Sequence, residues 1–194
     1  MSITLPEKYT ESNLTEYTSP AYITYMRETD PELKSEFETR LKEEPEPEDD
    51  RLNREYIEQM TSPDDFFKLM RKPMSIRTEY AFRKEMLKKE DLITDMIKKR
   101  AMTNMLDTFV DHATYFFINC KADPSGWIME NYADIRNPFT QSMMCLVLGF
   151  RGDESHIDFL LEQAEDLARK FPDESFDQGP IVALYMLAGV NRYL

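Results

Sequence analysis

The chain has 194 residues and a formal net charge of −13, a length that suits one domain, with or without an appended arm, and allows a substantial core. That charge opposes binding to polyanions, so nucleic acid is disfavoured as a partner. Five glycines and no strand-like alternation of any length exclude a sheet-rich fold and predict an all-α protein.

Residues 1–60 carry sixteen acidic and seven basic side chains, with tyrosines at 9, 17, 22 and 25. The first fifteen or so read as a loosely held arm. Cap signals and helical spacing predict weakly amphipathic helices over about 20–29, 31–43 and 50–60, with Asp30 capping and Pro31 opening the second. Glu43-Glu44-Pro45-Glu46-Pro47-Glu48-Asp49-Asp50 repels itself and is broken by proline, so the main linker is placed there. This divides the chain into an acidic arm with its helices, 1–50, and a helical domain, 51–194.

Ser62-Pro63-Asp64-Asp65 is a cap, a first-turn proline and acidic first-turn charge, opening a short helix with Phe66, Phe67, Leu69 and Met70 that Pro73 ends. Ser75 starts the next. From 75 to 120 the residues are helix-forming throughout, and capping types near Lys89-Glu90-Asp91 and Thr103-Asn104 predict two breaks. Residues 68–100 hold eleven basic and five acidic side chains, a locally positive section in an acidic protein, against which an acidic partner or the protein's own acidic arm would sit. Arg77, Lys84 and Lys88 fall on one helical face, with Arg83 and Lys89 turned away. Pro124-Ser125-Gly126 breaks the chain again before Trp127, the only tryptophan, which reads either as a binding anchor or as a packed junction between helices.

From Asn137 onward the signals repeat. Asn137-Pro138 is a cap and a first-position proline, and Phe139, Met143, Leu146, Val147 and Phe150 share a face. Gly149 and Gly152 are expected to turn the chain out of the helix. Asp153 caps a helix with Ile157, Leu160, Leu161, Ala164, Leu167, Ala168 and Phe171 at unbroken helical spacing up to Pro172; Leu160, Leu161, Leu167 and Leu184 are expected in the core. Asp177-Gln178-Gly179-Pro180 restarts the chain, and Ile181, Val182, Leu184, Met186, Leu187, Ala188 and Val190 are apolar nearly all round.

Pro138 and Pro180 stand 42 positions apart, within the period of HEAT and armadillo units. With Leu148-Gly149-Phe150-Arg151-Gly152-Asp153-Glu154 between helices and Gln178-Gly179-Pro180 opening the next, residues 137–194 resemble a HEAT-like repeat. The resemblance implies helical hairpins stacked as a short α-solenoid that binds partners, and it supplies no catalytic residue; an irregular helical domain is the alternative architecture.

No glycine-rich phosphate loop, Cys-x-x-Cys, His-Glu-x-x-His or Gly-x-Ser-x-Gly occurs, and no cofactor or metal is implied. Asp107, Asp111 and His112 lie close in sequence, but neighbours on a helix point about 100° apart, so they are not expected to converge. Asp153 before His156 is better read as a cap. Cys120 and Cys145, each in apolar surroundings, read as reduced core thiols of a cytoplasmic protein, and no apolar run reaches membrane-spanning length. The expected function is a non-catalytic protein-interaction scaffold, with Arg77, Lys84, Lys88, Trp127 and Arg151 as candidate contact residues. Two alternatives stand beside it: an enzyme on a HEAT-like scaffold resembling an alkyl-base DNA glycosylase, which needs a cationic groove, and a small acidic regulatory or antitoxin-like module.

Overall fold

In the computed structural model, residues 31–187 are described; the helix expected at 20–29 and the tyrosines of the first 30 residues lie outside them. About 77% of the described residues are helical and none is in a strand. The described residues divide into two compact units, one ending at Cys120 and the other beginning at Lys121. The boundary expected at residue 50 therefore falls inside the first unit.

The first unit contains α1 (Pro31–Glu43), α2 (Glu48–Gln59), α3 (Pro63–Met70), α4 (Ile76–Lys88), α5 (Glu90–Ala101) and α6 (Asp107–Asn119). The expected start and break signals operate locally. Ser62 Oγ accepts the Asp65 amide at 3.3 Å and Ser75 Oγ the Thr78 amide at 3.1 Å, each satisfying one N–H that the first turn leaves unpaired. The Lys89 break separates α4 from α5. Asn104 Oδ1 accepts the Leu106 amide at 2.9 Å ahead of α6.

Helix α6 is the centre of this unit: every residue from Phe109 to Ile118 except Asp111 is buried. Helices α3, α4 and α5 pack against it, and α2 packs on α4. The core unites Phe66, Met70, Phe82, Met86, Ile93, Ile97, Phe109 and Phe116, with the Phe66 and Phe82 rings stacked at 5.8 Å.

The charged stretch at 43–50 is shorter as a connector than expected, because α2 already begins at Glu48. Its last residue, Asp50, is buried rather than solvated. Its carboxylate accepts hydrogen bonds from the Ser75 hydroxyl and, at 3.0 Å, from Thr78 Oγ1, which offsets the cost of removing a charge from water. These bonds join the N-termini of α2 and α4. At the other end Lys89 Nζ donates to the carbonyls of Glu58 and Met60, so the two helices run side by side in the same direction.

The second unit contains α7 (Ser125–Asn131), a 3₁₀ turn (Tyr132–Asp134), α8 (Pro138–Arg151), a 3₁₀ turn (Glu154–His156), α9 (Ile157–Lys170) and α10 (Gln178–Leu187). Asn137 Oδ1 accepts the Phe139 amide at 3.0 Å. Asp153 takes part in a capping box whose second partner is His156. Every residue from Ser142 to Phe150 is buried, since α10 packs on both α8 and α9.

Gly149 does not end α8, which continues to Arg151. A Cβ at Gly149 would lie 2.7 Å from Ala183 Cα, so α10 presses directly on the backbone there. The second close point is Gly179, whose amide donates to Ser142 Oγ at 3.2 Å. Because Ser142 meets Gly179 and Gly149 meets Ala183, α8 and α10 are parallel. Leu160, Leu167 and Leu184 are buried, as expected, but Leu161 is only half-buried. The side of α9 that faces inward is the Leu160–Ala164–Leu167 row.

Candidate interaction surface

The basic section at 68–100 does not form one surface. Arg77 and Lys84 are turned onto helix α1. Arg77 donates to Leu41 O at 2.6 Å and to Glu44 O at 3.0 Å, capping carbonyls that the end of α1 leaves without a helical partner. Lys84 Nζ lies 3.0 Å from Glu38 Oε1. Lys88 pairs with Glu85 at 2.9 Å and remains 68% exposed. Arg83, expected to turn away, is buried, paired with Glu79 at 2.9 Å and stacked 4.3 Å from the Tyr115 ring. Trp127 is half-buried, its carbonyl accepting from Asn131 Nδ2 at 2.8 Å. Arg151, also half-buried, donates to Ala122 O at 3.3 Å.

Two further arginines of this section meet at one aromatic ring. Arg71, just past the end of α3, and Arg100, in the last turn of α5, both face the ring of Phe67, their Cζ atoms 5.4 Å and 4.2 Å from its centroid. Phe67 is half-buried and is held from behind by an edge contact with Phe109 at 5.8 Å. Lys72 and Lys99 are the chain neighbours of the two arginines, and all four cations are exposed. Among the described residues none of the four has a carboxylate within ion-pairing distance, while Lys68 lies 3.7 Å from Asp65. Positive charge at two helix C-termini is favourable by about 0.3–1 kcal/mol each, which explains the residue type. It does not explain why two arginines from different helices share one aromatic ring.

A guanidinium over a ring gains cation–π attraction while its N–H edge stays available. The Phe67 corner is therefore a pair of oriented guanidinium donors from two different helices. Sequence reading missed it. The signals were the Arg71-Lys72 and Lys98-Lys99-Arg100 runs and a second phenylalanine, Phe67, turned off the buried face that Phe66 occupies.

The titratable residues of α6 do not form a centre. His112 is buried with its ring edge-on to Phe82 at 5.2 Å, its Nδ1 has no hydrogen-bond partner, and burial, helped by Arg83, pushes its pKa down to about 3. Asp111 points to the exposed side, and desolvation, opposed by Arg83, raises it to about 6. Among the described residues no three His, Cys, Asp or Glu side chains converge as metal ligands. In the second unit Cys145 Sγ–H donates to Tyr132 Oη at 3.4 Å, and burial raises the thiol to about 12. Cys120 and Cys145 are both buried thiols, and Cys120 Sγ–H donates to Phe117 O at 3.5 Å. No helix among the described residues is long and apolar enough to cross a membrane.

Comparison with protein-family models, with curated proteins and with solved structures gives no match.

Proposed function

We propose that this protein is a non-catalytic interaction scaffold that docks an acidic segment of a partner protein on the Phe67 corner. The observation that carries this reading is the pair of exposed guanidiniums, Arg71 and Arg100, over the one Phe67 ring, without carboxylate partners in a chain of net charge −13. Where the acidic side chains outnumber the basic ones, 37 to 24, such a pair stands out from the general pairing of charges. Arginine held on an aromatic ring is preorganised for bidentate contact with carboxylates, and arginine and aromatic residues supply much of the energy of protein interfaces. The net charge of the chain repels an extended polyanion but matters less to a short acidic segment that meets the corner at close range.

The second unit supports a HEAT-like reading of the scaffold. In such arrays corresponding helices of successive units lie parallel, and α8 and α10, which open on Pro138 and Pro180, do so here with α9 packed between their sequence positions. The buried, reduced cysteines fit residence in the cytoplasm.

The test is titration of the 194-residue chain with a labelled decaglutamate peptide. Arg71→Gln with Arg100→Gln should weaken binding by about tenfold or more, the equivalent of roughly 1.4 kcal/mol, while Lys88→Gln leaves it unchanged. Equal affinity after the double substitution would overturn the assignment. So would tighter binding of duplex DNA than of the peptide at about 0.15 M salt, where the Debye length is roughly 8 Å.

A further inference from the structure

The contact between α1 and α4 has the form of a recognition site with its ligand in place. Arg77, Tyr80 and Lys84 are spaced i, i+3 and i+7 and share one side of α4. Tyr80 Oη donates to Glu38 Oε1 at 2.6 Å. Lys84 Nζ reaches the same oxygen at 3.0 Å while resting 4.2 Å from the centroid of the Tyr80 ring. A single carboxylate oxygen is thus gripped by a phenol and an ammonium that are themselves in contact. At the other end of the stripe Arg77 takes the carbonyls of Leu41 and Glu44, with the Glu44 carboxylate 3.5 Å from its Nη2. The stripe therefore recognises two things at a fixed separation: a glutamate in the body of a helix and the carbonyl-rich end of that helix.

Nothing in this pattern requires the helix to belong to the same chain. Glu38, Lys84 and Glu44 keep 33%, 39% and 70% of their side-chain surface in water, and ion pairs so exposed are individually weak. The connector from Glu44 to Pro47 is short and carries prolines at 45 and 47. Such a stiff tether keeps α1 at high effective concentration beside its site without adding to the contacts themselves. We propose that the Arg77–Tyr80–Lys84 side of α4 is a receptor for helices that present a glutamate close to their C-terminal end, and that α1 is its built-in occupant, a latch that a partner's helix of the same kind displaces. This rests on different residues from the Phe67 corner and stands or falls separately.

The experiment uses the full chain and, as probe, a labelled synthetic peptide with the sequence of residues 31–44. In the wild-type protein α1 holds the stripe, so the peptide should bind weakly and the amides of 31–43 should be protected from hydrogen exchange. Glu38→Lys should speed exchange of those amides by about tenfold and tighten peptide binding by about tenfold, changes of roughly 1.4 kcal/mol each. Adding Lys84→Glu to Glu38→Lys restores a pair of opposite charges, so it should return slow exchange and remove the peptide. Arg71→Gln with Arg100→Gln should leave peptide binding unchanged, which separates this site from the corner. Unchanged exchange of 31–43 in Glu38→Lys would show that these contacts do not hold α1. Equal peptide binding by wild type and Glu38→Lys would show that the stripe is not the receptor.

Discussion

Gly179→Ala is the sharpest perturbation of the parallel pair α8–α10. A Cβ at position 179 would stand 2.0 Å from Ser142 O, 2.4 Å from its Oγ and 2.6 Å from its carbonyl carbon. The nearest of these atoms belongs to the backbone of a buried helix, so no side-chain rotation relieves the overlap. Overpacking a tight core costs about 1–3 kcal/mol, and this contact belongs at the upper end. Moving the helices apart also strains the buried Gly179 N–H bond to Ser142 Oγ, 3.2 Å long, whose net worth is about 1 kcal/mol. The expected loss is therefore about 3–4 kcal/mol, or roughly 6–16 °C in Tm for a chain of this size. Gly126→Ala is the matched control, because a Cβ there meets nothing within 4 Å; it should fall within about 0.5 kcal/mol of wild type. Urea melts followed by far-ultraviolet circular dichroism measure both. A Gly179→Ala loss below about 1 kcal/mol would refute the close approach of α8 and α10, since even modest overpacking exceeds it.

Two further outcomes follow from burial. Leu160→Ala should cost about 2–5 kcal/mol by transfer plus cavity terms, whereas Leu161→Ala, at a half-buried site, should cost less than half as much; similar losses in denaturant melts would put the wrong side of α9 inward. His112→Leu tests the neutral state of the histidine. Its pKa is depressed to about 3 by burial, so between about 6.5 and 3 the unfolded chain binds a proton that the folded chain refuses, and stability falls as the pH falls. The wild type should lose about 2 kcal/mol through this residue between pH 6 and pH 4, and the variant should lack that loss. Asp111, raised to about 6, acts in the opposite direction in both proteins and cancels from the comparison. Urea melts at the two pH values decide it; equal acid sensitivity would mean that His112 is protonated in the folded state.

Helix starts were legible because a cap acts over two or three residues. Ser62, Ser75 and Asn137 each accept the backbone amide that their position predicts, whereas Asp153 caps the 3₁₀ turn Glu154–His156 and not α9, which starts at Ile157 without a side-chain cap. What was not legible depends on residues far apart in the chain. Gly149 reads as a stop by itself and becomes a contact point only because Ala183 arrives from α10. Asp50 reads as solvated linker charge until Ser75 and Thr78 supply its hydrogen bonds. The same limit governs the basic section. Helical spacing grouped Arg77 with Lys84 correctly, but only the fold shows that Glu38 already occupies them. No periodicity could place Arg100 over a ring 33 residues earlier, at Phe67.

Trp127, the only tryptophan in the chain, lies in the unit that begins at Lys121, and Tyr132 and Tyr185 are buried in that unit as well. Its emission is therefore a local spectroscopic label for one half of the molecule, whereas the helical signal near 222 nm sums over both. Recording the two signals in one titration gives each half its own midpoint. Coincident curves would indicate that the halves melt as one cooperative system, and separated curves that each has its own folding equilibrium.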